Sequence, residues 1–181
     1  VFPFERFANV DVLLGPEMKS TGESMGLDVD FAHAFGKAHL GSGAKMPKKG
    51  PVFVSVRDSD KDALIPICRD LLSLGFSLIA TSGTQKFLSG QGIDVAPVNK
   101  VRQGRPHIVD FLKDGKVAFV INTTEGAKSI EDSFSIRRTA LQNKIPYSTT
   151  LEATRAIVQA LRVIETEGGF GVRALQEYVM V

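Results

Sequence analysis

From Pro51 onward the chain repeats one pattern, a short apolar run followed by an amphipathic stretch. The runs PVFVSV (51–56), GFSLIA (75–80), IDVAPV (93–98), VAFVIN (117–122) and IPYS (145–148) are four to six residues long. That is strand length, and VAFVIN is apolar nearly throughout, as a strand covered on both faces must be. The stretches between them read as helices. Ser59 to Asp62 fits the S-x-x-[DE] capping pattern. It predicts a helix with Leu64, Ile67, Cys68, Leu71 and Leu72 inward, a kink at Pro66 and an end at Gly75. Further helices are predicted over 84–90, with Thr84 as a candidate N-cap, over 107–114 with Gly115 as the stop, and over 131–142 and 151–165. Strict alternation of this kind builds a three-layer α/β/α domain with about five parallel strands and right-handed crossovers.

The first 50 residues are different. Short apolar runs are broken by Pro3, Gly15 and Pro16. DVDFAHAFGKAHL then takes helical spacing, with Asp28 or Asp30 as N-cap and Phe31, Ala34, Phe35, Ala38 and Leu40 on one face. GSGAKMPKKG (41–50) reads as a linker. Exposed apolar residues in this region predict a surface that packs on a larger assembly or self-associates.

Length and composition narrow the function. A chain of 181 residues, 43% hydrophobic and 23% charged, is one ordinary domain or a domain with an appendage. A net charge of +2 argues against a nucleic-acid face, so any anion site is local. Cys68 is the single cysteine; it sits among Ile65, Ile67, Leu71 and Leu72 and reads as a core thiol in a reducing, cytoplasmic setting. No run approaches the roughly 20 apolar residues of a membrane span, and no signal peptide is apparent. The chain opens on Val-Phe-Pro-Phe without Met, as a piece of a longer protein would. His33, His39 and His107 are scattered without metal-site spacing, and His107 reads as capping or lining the helix that starts after Pro106. No Ser-His-Asp or Cys-His set can be picked out.

In an open parallel sheet, ligands bind beyond the carboxyl ends of the strands. The residues there are Ser55, Arg57, Asp58 and Lys61; Thr81, Ser82, Gly83 and Thr84; Asn99, Lys100, Arg102 and Arg105; Asn122, Thr123, Thr124 and Gly126; and Ser148, Thr149 and Thr150. Each Ser or Thr alone reads equally as a helix cap. Together with Lys61 and Lys100 they read as a phosphate site, with hydroxyls and helix N-termini as donors. Arg137 and Arg138 read as helix-surface charges, one of which could approach the anion.

SVRDSDK, LIATSGT, VNKVRQGRPHIVD, INTTEG and IRRTALQNKIPYSTT, in this order, resemble the C-terminal part of the large subunit of bacterial carbamoyl-phosphate synthases. The resemblance covers nearly the whole chain. It implies that residues 1–40, with GPEMKSTGE, are the end of an ATP-grasp half, 41–50 a linker, and 51–181 a methylglyoxal-synthase-like allosteric domain. It also implies binding of UMP as inhibitor, IMP as activator, and ornithine near the domain boundary. Lys61, Thr81, Thr84 and Lys100, with Ser55 beside them, would hold the nucleotide phosphate; Asn122, Thr123 and Thr124 would face ribose and base; Thr149 would be associated with ornithine. No catalytic residue or cofactor is implied for this stretch. ATP, Mg²⁺ or Mn²⁺, and K⁺ belong to the parent, whose partners are the rest of the large subunit and a glutaminase small subunit. Ala127-Lys128 stands where the family often carries a basic pair. The C-terminal GGFGVRALQEYVMV matches nothing informative.

A rival reading is methylglyoxal synthase itself, acting on dihydroxyacetone phosphate. That family places its carboxylate base in a Gly-Gly-Asp loop and a His after the first strand. The corresponding regions here, VNKVRQGRPH and SVRDSDK, hold neither. The lysine-and-histidine-rich motif of the related inosinate cyclohydrolase domain is also missing.

Overall fold

The computed structural model describes residues 1–7, 10–13 and 17–179, the side chain of the last excepted; Gly15, Pro16, Met180 and Val181 lie outside the described residues. Five parallel strands form the sheet: β1 (Pro51–Ser55), β2 (Ser77–Ala80), β3 (Ala96–Pro97), β4 (Phe119–Asn122) and β5 (Tyr147–Ser148). Their order is β3-β2-β1-β4-β5. Residues alternate between faces along each strand. Val52, Val54, Leu78, Ala80, Phe119 and Ile121 enter one core, while Phe53 and Val120 enter the other. α2 (Lys61–Ser73), α3 (Ser82–Gly90) and α6 (Leu151–Glu167) cover the first face; α4 (Ile108–Lys113) and α5 (Ala127–Gln142) cover the second. The three-layer α/β/α expectation therefore holds.

Local chemistry explains most of the boundaries. β4 is buried throughout, as its uninterrupted apolar sequence requires. β3 is a two-residue edge strand, where Pro97 withholds no ladder donor that the sheet needs. Gly75 and Gly115 end α2 and α4 with φ of +82° and +67°, which a side chain would resist. Thr150 caps α6 by accepting from the Ala153 N–H at 3.2 Å, and Gly168 closes it in the left-handed region. α2 runs unbroken through Pro66, which lies on its exposed face.

Three local expectations need correction. Ser59 does not cap α2: residues 58–60 form a 3-10 turn that leads into the helix without a side-chain cap. Thr84 is not the N-cap of α3: that place belongs to Thr81, and Thr84 sits in the first turn with its hydroxyl turned toward the end of β1. α5 begins at Ala127, four residues before the predicted Glu131, because Gly126 at φ +78° turns the chain directly into the helix.

α1 (Phe31–Gly41) packs across α6. Asp30 caps it, accepting from the His33 N–H at 3.0 Å. The predicted apolar face is covered only in its middle, where Phe35 packs against the first core and Ala34 and Ala38 are half-buried. Phe31 and Leu40 are exposed, and the buried residue is Gly36, which lies under the Phe170 ring. A Cβ at residue 36 would stand 2.1 Å from Phe170 Cζ, so the C-terminal tail crosses the helix where there is no side chain. His33 bridges the two helices, 2.9 Å from Asp30 and 3.1 Å from Glu167. Beyond α1, Met46 packs against the first core and Pro47 is buried.

A candidate ligand cleft at the strand ends

The strand order reverses between β1 and β4: the chain runs outward through β2 to β3, then restarts at β4 on the other side of β1. A crevice must open beyond the carboxyl ends of those two strands, because the loops leaving them diverge. A cleft of about 700 Å³ lies there. Its floor comes from Ser55, Val56, Arg57, Thr81 and Thr123. One wall is the turn from Lys100 to Gln103, and the other is the start of α5.

The floor is held by the hydroxyls noted in the sequence. Thr81 Oγ1 donates to Ser55 Oγ at 3.1 Å. The Arg57 N–H donates to Thr123 Oγ1 at 3.1 Å, and the Val56 N–H to Thr84 Oγ1 at 3.4 Å. A hydroxyl that accepts a backbone N–H still has its own hydrogen to donate. Thr84 and Thr123 therefore fix the corner after β1 and keep a donor. Two helix N-termini border the same corner without side-chain caps, α3 after Thr81 and α5 after Gly126. Their first-turn N–H groups and dipoles favour an anion.

The lining holds four cations, Arg57, Lys100, Arg102 and Lys128, and three carboxylates, Glu125, Glu131 and Asp132. Arg57 is paired with Asp60 at 3.0 Å, and Arg102 reaches from the turn to Asp132 on α5 at 3.1 Å. Among the described residues, Lys100 and Lys128 have no carboxylate partner. They are the cations left to meet an anionic ligand. Among the same residues, no group of three or more His, Cys, Asp or Glu is placed to hold a metal ion.

Of the residues singled out in the sequence, Ser55, Thr81, Lys100 and Thr123 converge on the cleft. Lys61 lies outside its lining, bound to Asp58 at 2.7 Å and set over the Phe87 ring. Lys61 holds the Asp58 carboxyl below its usual range, with Lys100 adding to the effect. Thr84 stands behind the floor; Thr124 is half-buried and outside the lining; Thr149 is half-buried next to Thr150, the cap of α6. Asn122 is buried, and its side chain is directed inward. Its Nδ2 donates to the Ser55 carbonyl at 3.3 Å and to Ser133 Oγ at 3.5 Å, and its Oδ1 accepts from Arg137 at 3.1 Å.

Arg137 corrects the sequence reading most sharply. It is not a surface charge but a fully buried residue, 0% exposed. Its Nε donates to Asp11 Oδ1 at 2.8 Å, its second terminal nitrogen donates to Asp11 Oδ2, and the same nitrogen donates to the Ile130 carbonyl at 2.8 Å. Arg138 reaches the Phe7 carbonyl at 3.1 Å. Sequence reasoning noted Lys128 but passed over the rest of the α5 wall. Lys128, Ser129, Asp132, Ser133 and Ile136 share one helical face, a pattern legible at 3.6-residue spacing once the helix starts at Ala127.

Elsewhere, Cys68 is buried and its thiol is pushed up to about 12 by desolvation, which makes it inert. Among the described residues, no helix is long and apolar enough to cross a membrane.

Comparison with known proteins agrees with this fold. The profile of the MGS-like domain family matches residues 63–149. The carbamoyl phosphate synthase large chain of Mesorhizobium japonicum is 52% identical over 98% of this chain and 15% of its own length. That of Myxococcus xanthus is 54% identical over 99% of this chain and 16% of its own length. The crystal structure of methylglyoxal synthase from Elizabethkingia anophelis NUHP1 superposes with a TM-score of 0.53, covering 75% of this chain and 93% of that one, at 16% identity. At that identity the likeness is one of fold alone. The chain spans about a sixth of the length of the large chains it matches. By sequence and fold it belongs to the MGS-like family, in the form carried by carbamoyl phosphate synthase large chains.

Proposed function

We propose that this chain is the regulatory, effector-binding portion of a carbamoyl phosphate synthase large chain, and that its cleft receives a nucleoside monophosphate. The observation that carries the reading is the pair of cations, Lys100 and Lys128, that have no carboxylate partner among the described residues and line the same cleft as the hydroxyls of Ser55, Thr81 and Thr123. Phosphate would sit over that floor, and the sugar and base would extend along the serine-rich face of α5. Lys61 would join only by exchanging Asp58 for phosphate. Asn122 would act from beneath the floor. UMP would bind there as inhibitor and IMP as activator, and ornithine would bind toward Thr149.

In the same reading, residues 1–40 close the ATP-grasp half, 41–50 connect, and 51–181 form the allosteric domain. ATP and the metal ions would be handled by the rest of the large subunit, and glutamine by the small subunit. The exposed Met18, Met25 and Phe31 would pack on that remainder or on a second copy. An effector alters the parent's catalysis only by binding its two states unequally, typically by about 1–3 kcal/mol.

Calorimetric titration with UMP, IMP and inorganic phosphate tests the proposal. Saturable, mutually competitive nucleotide binding is expected. Lys100→Ala should weaken it roughly tenfold or more, since a hydrogen bond to a charged group contributes about 1.5–3 kcal/mol. A folded chain that binds none of the three would overturn the reading.

A further inference from the structure

Asp11 lies in the segment before α1, 126 positions from Arg137. Its carboxylate is the one that reaches that guanidinium among the described residues. A guanidinium with no exposed surface cannot be completed by bulk water, so its partners determine where it sits. Arg137 in turn determines how Asn122 sits. With a guanidinium N–H aimed at it, the amide must present Oδ1; the flipped amide would set donor against donor. That choice points Nδ2 at the Ser55 carbonyl and at Ser133 Oγ, and Ser55 and Ser133 both line the cleft. The same Ser55 carbonyl accepts the Thr123 N–H at 3.1 Å. Three consecutive contacts thus join the N-terminal segment to the cleft floor.

We infer that Asp11 and Arg137 are a positioning pair through which the N-terminal segment sets the geometry of the cleft, and through which an occupied cleft tightens the hold on that segment. The inference rests on the cleft being a phosphate-ligand site, as proposed above. Phe4 and Val12 pack with Leu141 at the far end of α5, so the segment and the cleft wall share one rigid helix. If the pair couples the two, thermodynamic reciprocity requires the effect to run both ways.

The test uses the intact chain and UMP as probe. Amide hydrogen exchange of residues 10–13 is measured with and without saturating UMP, in the wild type and in Asp11→Asn, and UMP affinity is measured in both. The expected results are slower exchange in those residues when UMP binds the wild type, loss of that slowing in Asp11→Asn, and at least about a fivefold weaker affinity, the low end of site-to-site coupling. Binding stabilises the folded state as a whole, so equal slowing by UMP in Asp11→Asn and in the wild type would mark a pair that merely holds the fold together and would overturn the inference. Wild-type binding with no change in exchange overturns the inference and leaves the cleft assignment standing, and it needs no variant to be read. Failure of the wild type to bind UMP, IMP or phosphate overturns the cleft assignment and this inference with it.

Discussion

Deleting the more exposed member of the Asp11–Arg137 pair should cost more than deleting the buried one. Asp11→Ala leaves a guanidinium with 0% exposure and no counter-charge among the described residues. Breaking a buried pair in this way costs about 3–5 kcal/mol. The Asp11 side chain is 23% exposed, which places the cost near the low end, about 3 kcal/mol. Arg137→Met removes the charge and keeps most of the stem packing. Asp11 can then turn to water, and the main loss is the buried Asn122 Oδ1 without its donor, about 1–3 kcal/mol. The Ile130 carbonyl lies within α5, where a helical partner is available. Adding Arg137→Met to Asp11→Ala should therefore recover stability, because it removes the orphaned charge. Urea unfolding of the two single variants and the double variant measures this directly, provided the m-values agree. In a thermal scan Asp11→Ala should lower Tm by about 6–12 °C for a chain of this size. Additive losses in the double variant, or a larger loss for Arg137→Met alone, would refute the argument.

Three further outcomes can be checked. The bonds from Asp30 and Glu167 raise the His33 pKa above its ordinary value, so the clasp between α1 and α6 contributes fully below about pH 6.5 and is lost as pH rises through the raised pKa. The Tm difference between wild type and His33→Gln should shrink from pH 5.5 to about pH 8.5. His39, whose pKa burial lowers, is present in both proteins and cancels; a pH-independent difference would count against the clasp. Gly36→Ala should displace the Phe170 ring and speed proteolysis of the tail beyond Gly168, whereas in a Phe170→Ala background the same change should stabilise α1 by about 0.5–1 kcal/mol. Cys68, with its thiol raised to about 12, should resist alkylation at mildly alkaline pH until urea unfolds the chain; rapid labelling of the native protein would contradict its burial.

Residue order by itself determined the layered α/β architecture, because strand and helix periodicities are local and the glycines that end helices declare themselves. Gly75 and Gly115 stop α2 and α4 where the sequence placed those ends. It also located the strand ends and thus the cleft, since the carboxyl edge of a parallel sheet follows from chain direction alone. Ser55, Thr81, Lys100 and Thr123 were found in this way. Only tertiary structure decided what each polar residue does there. Thr84 and Asn122 have the residue types of ligand contacts, yet their side chains tie β1 to its neighbours, and Lys61 is held by Asp58. Arg137 has the spacing of a solvated helix face. Its burial depends on Asp11, 126 positions away, and on Asn122 at the end of a strand. Periodicity records which face of a helix is apolar. It does not record that a distant carboxylate makes burial of a charge affordable, since that depends on which residues the fold brings within 3 Å of one another.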